Sequence, residues 1–314
     1  ISADWYKRNN YDLIGVINTQ GIGGQIKKMA NVASMESEGV ELTLSTKNIL
    51  TKNFSWNMDF IFSKNENKVT DLESNTRVID LVTGTGFTLE GYPVRGLFSI
   101  PFMGLNEDGI PTFTNQDGET TTTDINFQER DKIDFLKYEG PTDPTITGSF
   151  GNIFRYKGFK LNAFITYSFG NKVRLDPIFS NSYSDLSSTP KEYKNRWMLP
   201  GDENITNIPV ILNARQNNSD SYYKTAYSAY NYSDVRIADG GFIRMKEISL
   251  SYDFPSSLLS KWQMNALSLK LQTTNLFLIY ADSKLNGQDP EFFRSGGVAT
   301  PMPKQFTLTL RFSL

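Results

Sequence analysis

The chain has 314 residues with 32 Lys and Arg against 34 Asp and Glu, so its net charge is −2 and nothing in the balance points to nucleic acid. It contains no cysteine and no histidine, which removes disulfide frameworks, thiolate and imidazole metal sites, and Ser-His-Asp or Cys-His catalysis. No run approaches the ~18 consecutive apolar residues of a membrane helix, but a β-barrel strand carries its apolar signal only at every second residue and keeps averaged hydropathy low.

The dominant period is two. Strands are predicted near 2–8 and 36–46, the second with Val40, Leu42 and Leu44 on one face. Between them, Gly21-Ile22-Gly23-Gly24 lacks the Lys-Ser/Thr and the helix a phosphate loop requires, and reads as a flexible outer loop. Near 53–62, Phe54, Trp56, Met58, Phe60 and Phe62 oppose Ser55, Asn57 and Asp59. A long polar stretch follows over 63–145. Within it, 88–114 offers a further strand pair turned at Asn106-Glu107-Asp108-Gly109. Asp117, Glu119 and Asp124 carry oxygens of the kind Ca²⁺ takes, but they lack an ordered ligand spacing and read as solvated loop.

Strands near 147–156 and 158–169 meet at a tight Arg155-Tyr156-Lys157-Gly158 turn, and the second sets Phe159, Leu161, Ala163, Ile165, Tyr167 and Phe169 against Lys160, Asn162, Thr166 and Ser168. The polar stretch 170–240 holds Tyr222, Tyr223, Tyr227, Tyr230 and Tyr232 among Asn, Ser and Asp. These rings have three readings: packing of the loop against the rim, contact with a protein partner, or stacking on cargo. Strands near 242–254 and 266–279 follow, then the polar stretch 280–304. Its Asp289-Pro290-Glu291 pairs two carboxylates as a glycosidase would, with nothing else to support catalysis. The last strand, 305–314, puts Phe306, Leu308, Leu310, Phe312 and Leu314 on one face and Gln305, Thr307, Thr309, Arg311 and Ser313 on the other.

These strands have the ~9–12 residues of tilted membrane strands rather than the ~5–6 of sandwich strands. Their greasy faces hold no charge, which at the bilayer midplane costs roughly 2–4 kcal/mol. Short turns alternate with long connections, as periplasmic turns alternate with outer loops. With a periplasmic C-terminus, every long connection falls outside. The expectation is therefore an antiparallel transmembrane β-barrel wall of about eight to ten strands, with no helical domain. Lys160, Asn162, Lys270, Gln272 and Arg311 face its wet interior.

An ordered series of short motifs runs along almost the whole chain. It comprises Glu38-Gly39-Val40-Glu41-Leu42, Glu90-Gly91-Tyr92-Pro93, Gly104-Leu105 to Gly109-Ile110-Pro111, and Asp143-Pro144 with Gly148-Ser149-Phe150-Gly151-Asn152. Arg196-Trp197 with Pro200-Gly201-Asp202 comes next, followed by Ser233-Asp234, Gly241-Phe242-Ile243-Arg244-Met245-Lys246, Asn275-Leu276-Phe277 and Asp289-Pro290-Glu291. In these the chain resembles the C-terminal part of SusC/RagA-type TonB-dependent outer-membrane transporters of Bacteroidetes. The resemblance implies that residues 1–314 are the C-terminal portion of a 22-stranded barrel, with the plug and N-terminal strands outside them. It further implies a SusD-type surface lipoprotein as lid, the TonB complex engaged through the missing N-terminal part, outer-membrane lipid around the wall, and oligosaccharide or oligopeptide cargo. No catalytic residue, cofactor or metal is expected. The terminus departs from the family in ending on Leu314 rather than Phe. Two other functions stay open at this point, a passive porin-like barrel and a soluble carbohydrate-binding β-sandwich.

Overall fold

The structure is a computed structural model that describes residues 1–18, 27–73, 76–179, 190–213, 221–293 and 303–313. Gly21-Ile22-Gly23-Gly24 and Leu314 lie outside the described residues. All eight predicted strands are present, and most extend beyond their predicted ends. They are β1 (Ser2–Asn18), β2 (Lys27–Leu50), β3 (Phe54–Leu72), β9 (Ile146–Tyr156), β10 (Phe159–Phe169), β13 (Phe242–Asp253), β14 (Ala266–Ala281) and β15 (Gln305–Ser313). Short strands intervene: β4 (Gly96–Ser99), β5 (Phe102–Leu105), β6 (Pro111–Thr114), β7 (Thr120–Thr121), β8 (Lys137–Pro141), β11 (Lys172–Arg174) and β12 (Ile237–Asp239).

The eight long strands form one antiparallel sheet in the order β1-β2-β3-β9-β10-β13-β14-β15. Among the described residues β1 and β15 do not pair with each other, so the sheet is an open wall and not a closed small barrel. A sandwich would need a second facing sheet of like size, and the remaining sheets have only two or three short strands.

Alternation sets the two faces of the wall. Phe306, Leu308, Leu310 and Phe312 stand 60–70% exposed along β15, an apolar surface that lipid covers. The register carries this face across the sheet, with Leu271 opposite Leu308 and Leu250 opposite Leu271. One polar group on it, Asn152, is satisfied by the Trp56 indole N–H, which donates to its Oδ1 at 2.9 Å. The β9–β10 turn is the two-residue type the sequence predicts, with Lys157 and Gly158 at φ 45° and 88°.

Two motif glycines have a packing reason. Gly39 in β2 lies beneath the Tyr6 ring of β1, whose hydroxyl accepts from Asn65 Nδ2 in β3 at 2.5 Å. Gly148 in β9 lies beneath the Tyr167 ring of β10, whose hydroxyl donates to the Ile61 carbonyl in β3 at 2.9 Å. In both places a tyrosine reaches over one strand to bond the next, and a Cβ on the glycine would collide with the ring.

The β2–β3, β9–β10 and β13–β14 connections lie at one end of the wall, and the long stretches 73–145, 170–241 and 282–304 lie at the other. The long stretches do not behave as plain loops, although they hold no helical domain among the described residues. They contain a helix at Val78–Val82, another at Ser221–Asn231 and three small sheets. The predicted hairpin at 106–109 is present as β5 and β6. Val78, Leu81, Phe98, Ile100, Phe113 and Ile125 from the first stretch pack with Ile178, Tyr193, Ala229 and Tyr230 from the second in one core. Leu175 and Ala238 join Leu285 of the third in another. The stretches form a folded crown because each contributes a few apolar residues that only a neighbouring stretch can cover.

Candidate functional site

The tyrosine segment opens as the helix Ser221–Asn231. Tyr223, Ala226, Tyr227 and Tyr230 recur at i, i+3, i+4 and i+7, which is a helical stripe and explains the direction they face. Ala226, Tyr227, Ala229 and Tyr230 are almost fully buried. Tyr227 packs against Phe179 at 5.3 Å between ring centroids and donates its hydroxyl to the Val210 carbonyl. Tyr230 meets Phe102 edge to face at 5.8 Å and donates to the Asn207 carbonyl at 2.9 Å. Burial pushes the Tyr230 hydroxyl up to about 12 and raises Tyr227 as well, so both remain neutral donors.

The other three tyrosines are more accessible. Tyr222 is 40% exposed, accepts from the Thr122 hydroxyl at 3.1 Å and stands perpendicular to the Tyr223 ring at 5.4 Å. Tyr232 lines an open cleft of about 390 Å³ with Thr83, Arg174, Pro177, Phe179 and Ser228. The Arg174 guanidinium lies 5.9 Å from its ring centroid. An aromatic ring beside hydroxyls can stack on and hydrogen-bond a neutral polar ligand. The five tyrosines therefore divide: Tyr227 and Tyr230 hold the helix in the core, whereas Tyr222, Tyr223 and Tyr232 remain at or near a surface.

Three buried arginines tie the crown together, and the sequence reading did not single out their role. Arg174 donates to the Phe98 carbonyl at 2.6 Å and the Ser99 hydroxyl at 2.9 Å on one side, and to the Ser233 carbonyl at 3.0 Å on the other. Arg236 pairs with Glu192 and donates to the Asp176 carbonyl at 2.6 Å. Arg244 of β13 pairs with Asp289, and its Nε lies 3.1 Å from Glu291 Oε2. Arg244 and Asp289-Pro290-Glu291 come from two separate motifs, and the carboxylates are spent on this clamp rather than set across a catalytic gap. The Arg196-Trp197 and Gly109 motifs also meet, because the Trp197 ring lies against Gly109.

The oxygen-rich loop is likewise engaged. Asp117 pairs with Lys132 at 2.5 Å and Asp124 accepts from Asn115 at 3.2 Å. Among the described residues no three acidic side chains converge as a metal cage. Glu139 of β8 is half-buried near Lys137 and Asp234, and desolvation raises its carboxyl above the ordinary value.

A wall with one continuous apolar face, one polar face and a folded crown over its long-connection end defines an outer-membrane β-barrel protein. No helix among the described residues is long and apolar enough to cross a membrane. No family model matches the chain. It is 25% identical over 305 residues to the TonB-dependent receptor P3 of Formosa agariphila, covering 93% of this chain and 28% of that receptor. It is 25% identical over 327 residues to the TonB-dependent receptor SusC of Bacteroides thetaiotaomicron, covering 99% of this chain and 29% of SusC. Its fold matches that of the RagAB peptide transporter with a TM-score of 0.73 at 22% identity, over 99% of this chain and 33% of that one. The chain is therefore part of an outer-membrane β-barrel, and it is similar along nearly its whole length to TonB-dependent receptors, SusC among them. It spans between 28% and 32% of the length of the curated relatives it matches.

Proposed function

We propose that the protein containing this chain imports a nutrient oligomer across the outer membrane, driven by the TonB complex and capped by a SusD-type surface lipoprotein. The observation that carries this reading is the match to TonB-dependent receptors along 93–99% of the chain, crown and wall together. In this reading residues 1–314 are the C-terminal portion of the barrel, and the plug, the TonB-engaging segment and the other strands come from outside them. Cargo is an oligosaccharide or oligopeptide. Tyr222, Tyr223 and Tyr232 are the crown residues placed to touch cargo or lid, and Tyr227 and Tyr230 serve by fixing their helix.

Uptake of labelled oligosaccharides and oligopeptides by cells with and without the intact gene tests this. Loss of one class on disruption, and equal loss when a protonophore collapses the inner-membrane gradient, is the expected result. Uptake that survives the protonophore would replace the driven importer with a passive porin. Co-purification of a surface lipoprotein with the tagged full-length protein tests the lid separately, and Tyr222→Ala with Tyr232→Ala should weaken that complex or the uptake.

A further inference from the structure

At the short-turn end of the wall, the register sets Phe54, Tyr156, Phe159 and Tyr252 side by side across β3, β9, β10 and β13, on the apolar face that also carries Leu250. The Phe159 and Tyr252 ring centroids are 4.4 Å apart. An aromatic row at the end of an apolar strand face marks the boundary between lipid and water. The turns just beyond this row are basic. With their flanks, 47–53, 155–160 and 253–265, they hold six Lys or Arg and one acid, Asp253, in a chain whose acids outnumber its cations. Two of the turns are tied together, because the Lys157 backbone N–H donates to the Asn53 carbonyl at 3.3 Å. This brings the exposed Lys52 and Lys157 to one open groove of about 310 Å³, which Leu50, Tyr156 and Phe159 also line. Those three are 75%, 50% and 48% exposed. The Lys157 ammonium lies 5.3 Å from the Tyr156 ring centroid, and neither lysine has an ion pair among the described residues.

We propose that this groove binds an anionic phospholipid of the leaflet that meets the short turns. The headgroup phosphate sits between the Lys52 and Lys157 ammonium groups, and the acyl chains run past Leu50 and Phe159 onto the apolar face. Continuity decides for a lipid over a soluble anion or a protein. The groove opens directly onto the surface that lipid already covers, so one molecule can meet the cations and the aromatic row together. The charge balance decides for an anionic headgroup. A zwitterionic one brings its own ammonium and cannot offset a surplus of cations. Exposed lysines of the crown, such as Lys191 and Lys194, lie in the 170–241 stretch at the opposite end of the wall, away from this row. The proposal rests on the wall spanning a membrane and not on transport.

The test is native mass spectrometry of the full-length protein in detergent, titrated with phosphatidylglycerol and, separately, with phosphatidylcholine of the same chains. The expected result is tighter binding of phosphatidylglycerol. The variant carrying Lys52→Gln with Lys157→Gln should lose that preference, weakening roughly 30-fold as two lysines near an anionic surface are neutralised. Its phosphatidylcholine binding should be unchanged, which also reports that the wall is intact. Lys191→Gln with Lys194→Gln removes as much charge from the crown and should leave the preference in place. Equal binding of the two lipids by the native protein overturns the proposal and leaves these lysines to a periplasmic protein. An equal loss in the crown variant overturns it in favour of diffuse charge. Displacement of phosphatidylglycerol by inorganic phosphate at matched concentration overturns it in favour of a soluble-anion site. Because uptake is not measured, the result stands apart from the transport reading.

Discussion

Arg244 and Asp289 form an ion pair with side chains only 4% and 7% exposed, joining strand β13 of the wall to the last connection of the crown. The Arg244 guanidinium also lies 5.4 Å from the Phe242 ring, and Asp289 accepts from the Glu291 backbone N–H at 3.1 Å. Removing one partner strands the other as a buried charge, which costs about 3–5 kcal/mol. Arg244→Ala should therefore release the 282–293 segment, read as lost hydrogen-exchange protection at Leu285 and Phe292. Arg244→Met with Asp289→Leu should restore most of it, since a packed apolar pair leaves no charge behind. If the single and double variants lose protection equally, the pair does not clamp this segment.

Gly109 is held at φ 73° with the Trp197 ring against its α-carbon, so an alanine there meets both a disfavoured backbone region and a collision. Gly109→Ala should destabilise the contact between the 106–109 turn and the Trp197 segment by about 1–3 kcal/mol. Limited proteolysis in detergent should show faster cutting near 197–205. Gly118→Ala is the control, since its turn glycine at φ 80° has open space around it and shares only the backbone cost.

The tyrosines of the 221–231 helix should separate by role. Tyr227→Ala empties a core site and should cost about 3–5 kcal/mol of crown stability. Tyr227→Phe loses only the bond to Val210 and should cost about 1 kcal/mol. Tyr222→Ala should leave the thermal unfolding of the crown nearly unchanged. A large loss of stability in Tyr222→Ala would assign that ring to packing too.

Glu139 makes the crown sensitive to pH. Burial, only partly offset by Lys137, raises its carboxyl above its ordinary 4.5. A carboxyl whose folded value lies above its unfolded value stabilises fully while protonated, below the unfolded value, and that contribution disappears as pH rises through the folded value. Glu139→Gln should thus flatten the decline in unfolding temperature above pH 4.5, with the variant gaining on the native protein as pH rises. Parallel curves for the two proteins would show that Glu139 ionises without strain.

The wall was legible from the residues alone because strand alternation is a local property. Phe306 to Phe312 and Phe159 to Phe169 each declare a lipid face without reference to any neighbour, and Lys157-Gly158 declares its turn through the backbone it requires. The motif glycines were visible, but their purpose was not. Gly39 and Gly148 make sense only once Tyr6 and Tyr167 are laid over them from adjacent strands. The helical stripe at Tyr223, Ala226, Tyr227 and Tyr230 was present in the sequence, masked by the polar Asn, Ser and Lys around it.

What the sequence determined by itself was the wall, its two faces and the end at which the long connections lie, since each follows from spacing within a single segment. What only the tertiary structure decided was the crown. Its core joins Val78 to Tyr230, and its clamp joins Arg244 to Asp289. Those partners are separated by long stretches of chain, and apolar burial and charge pairing choose partners in space, leaving no periodic trace along the sequence.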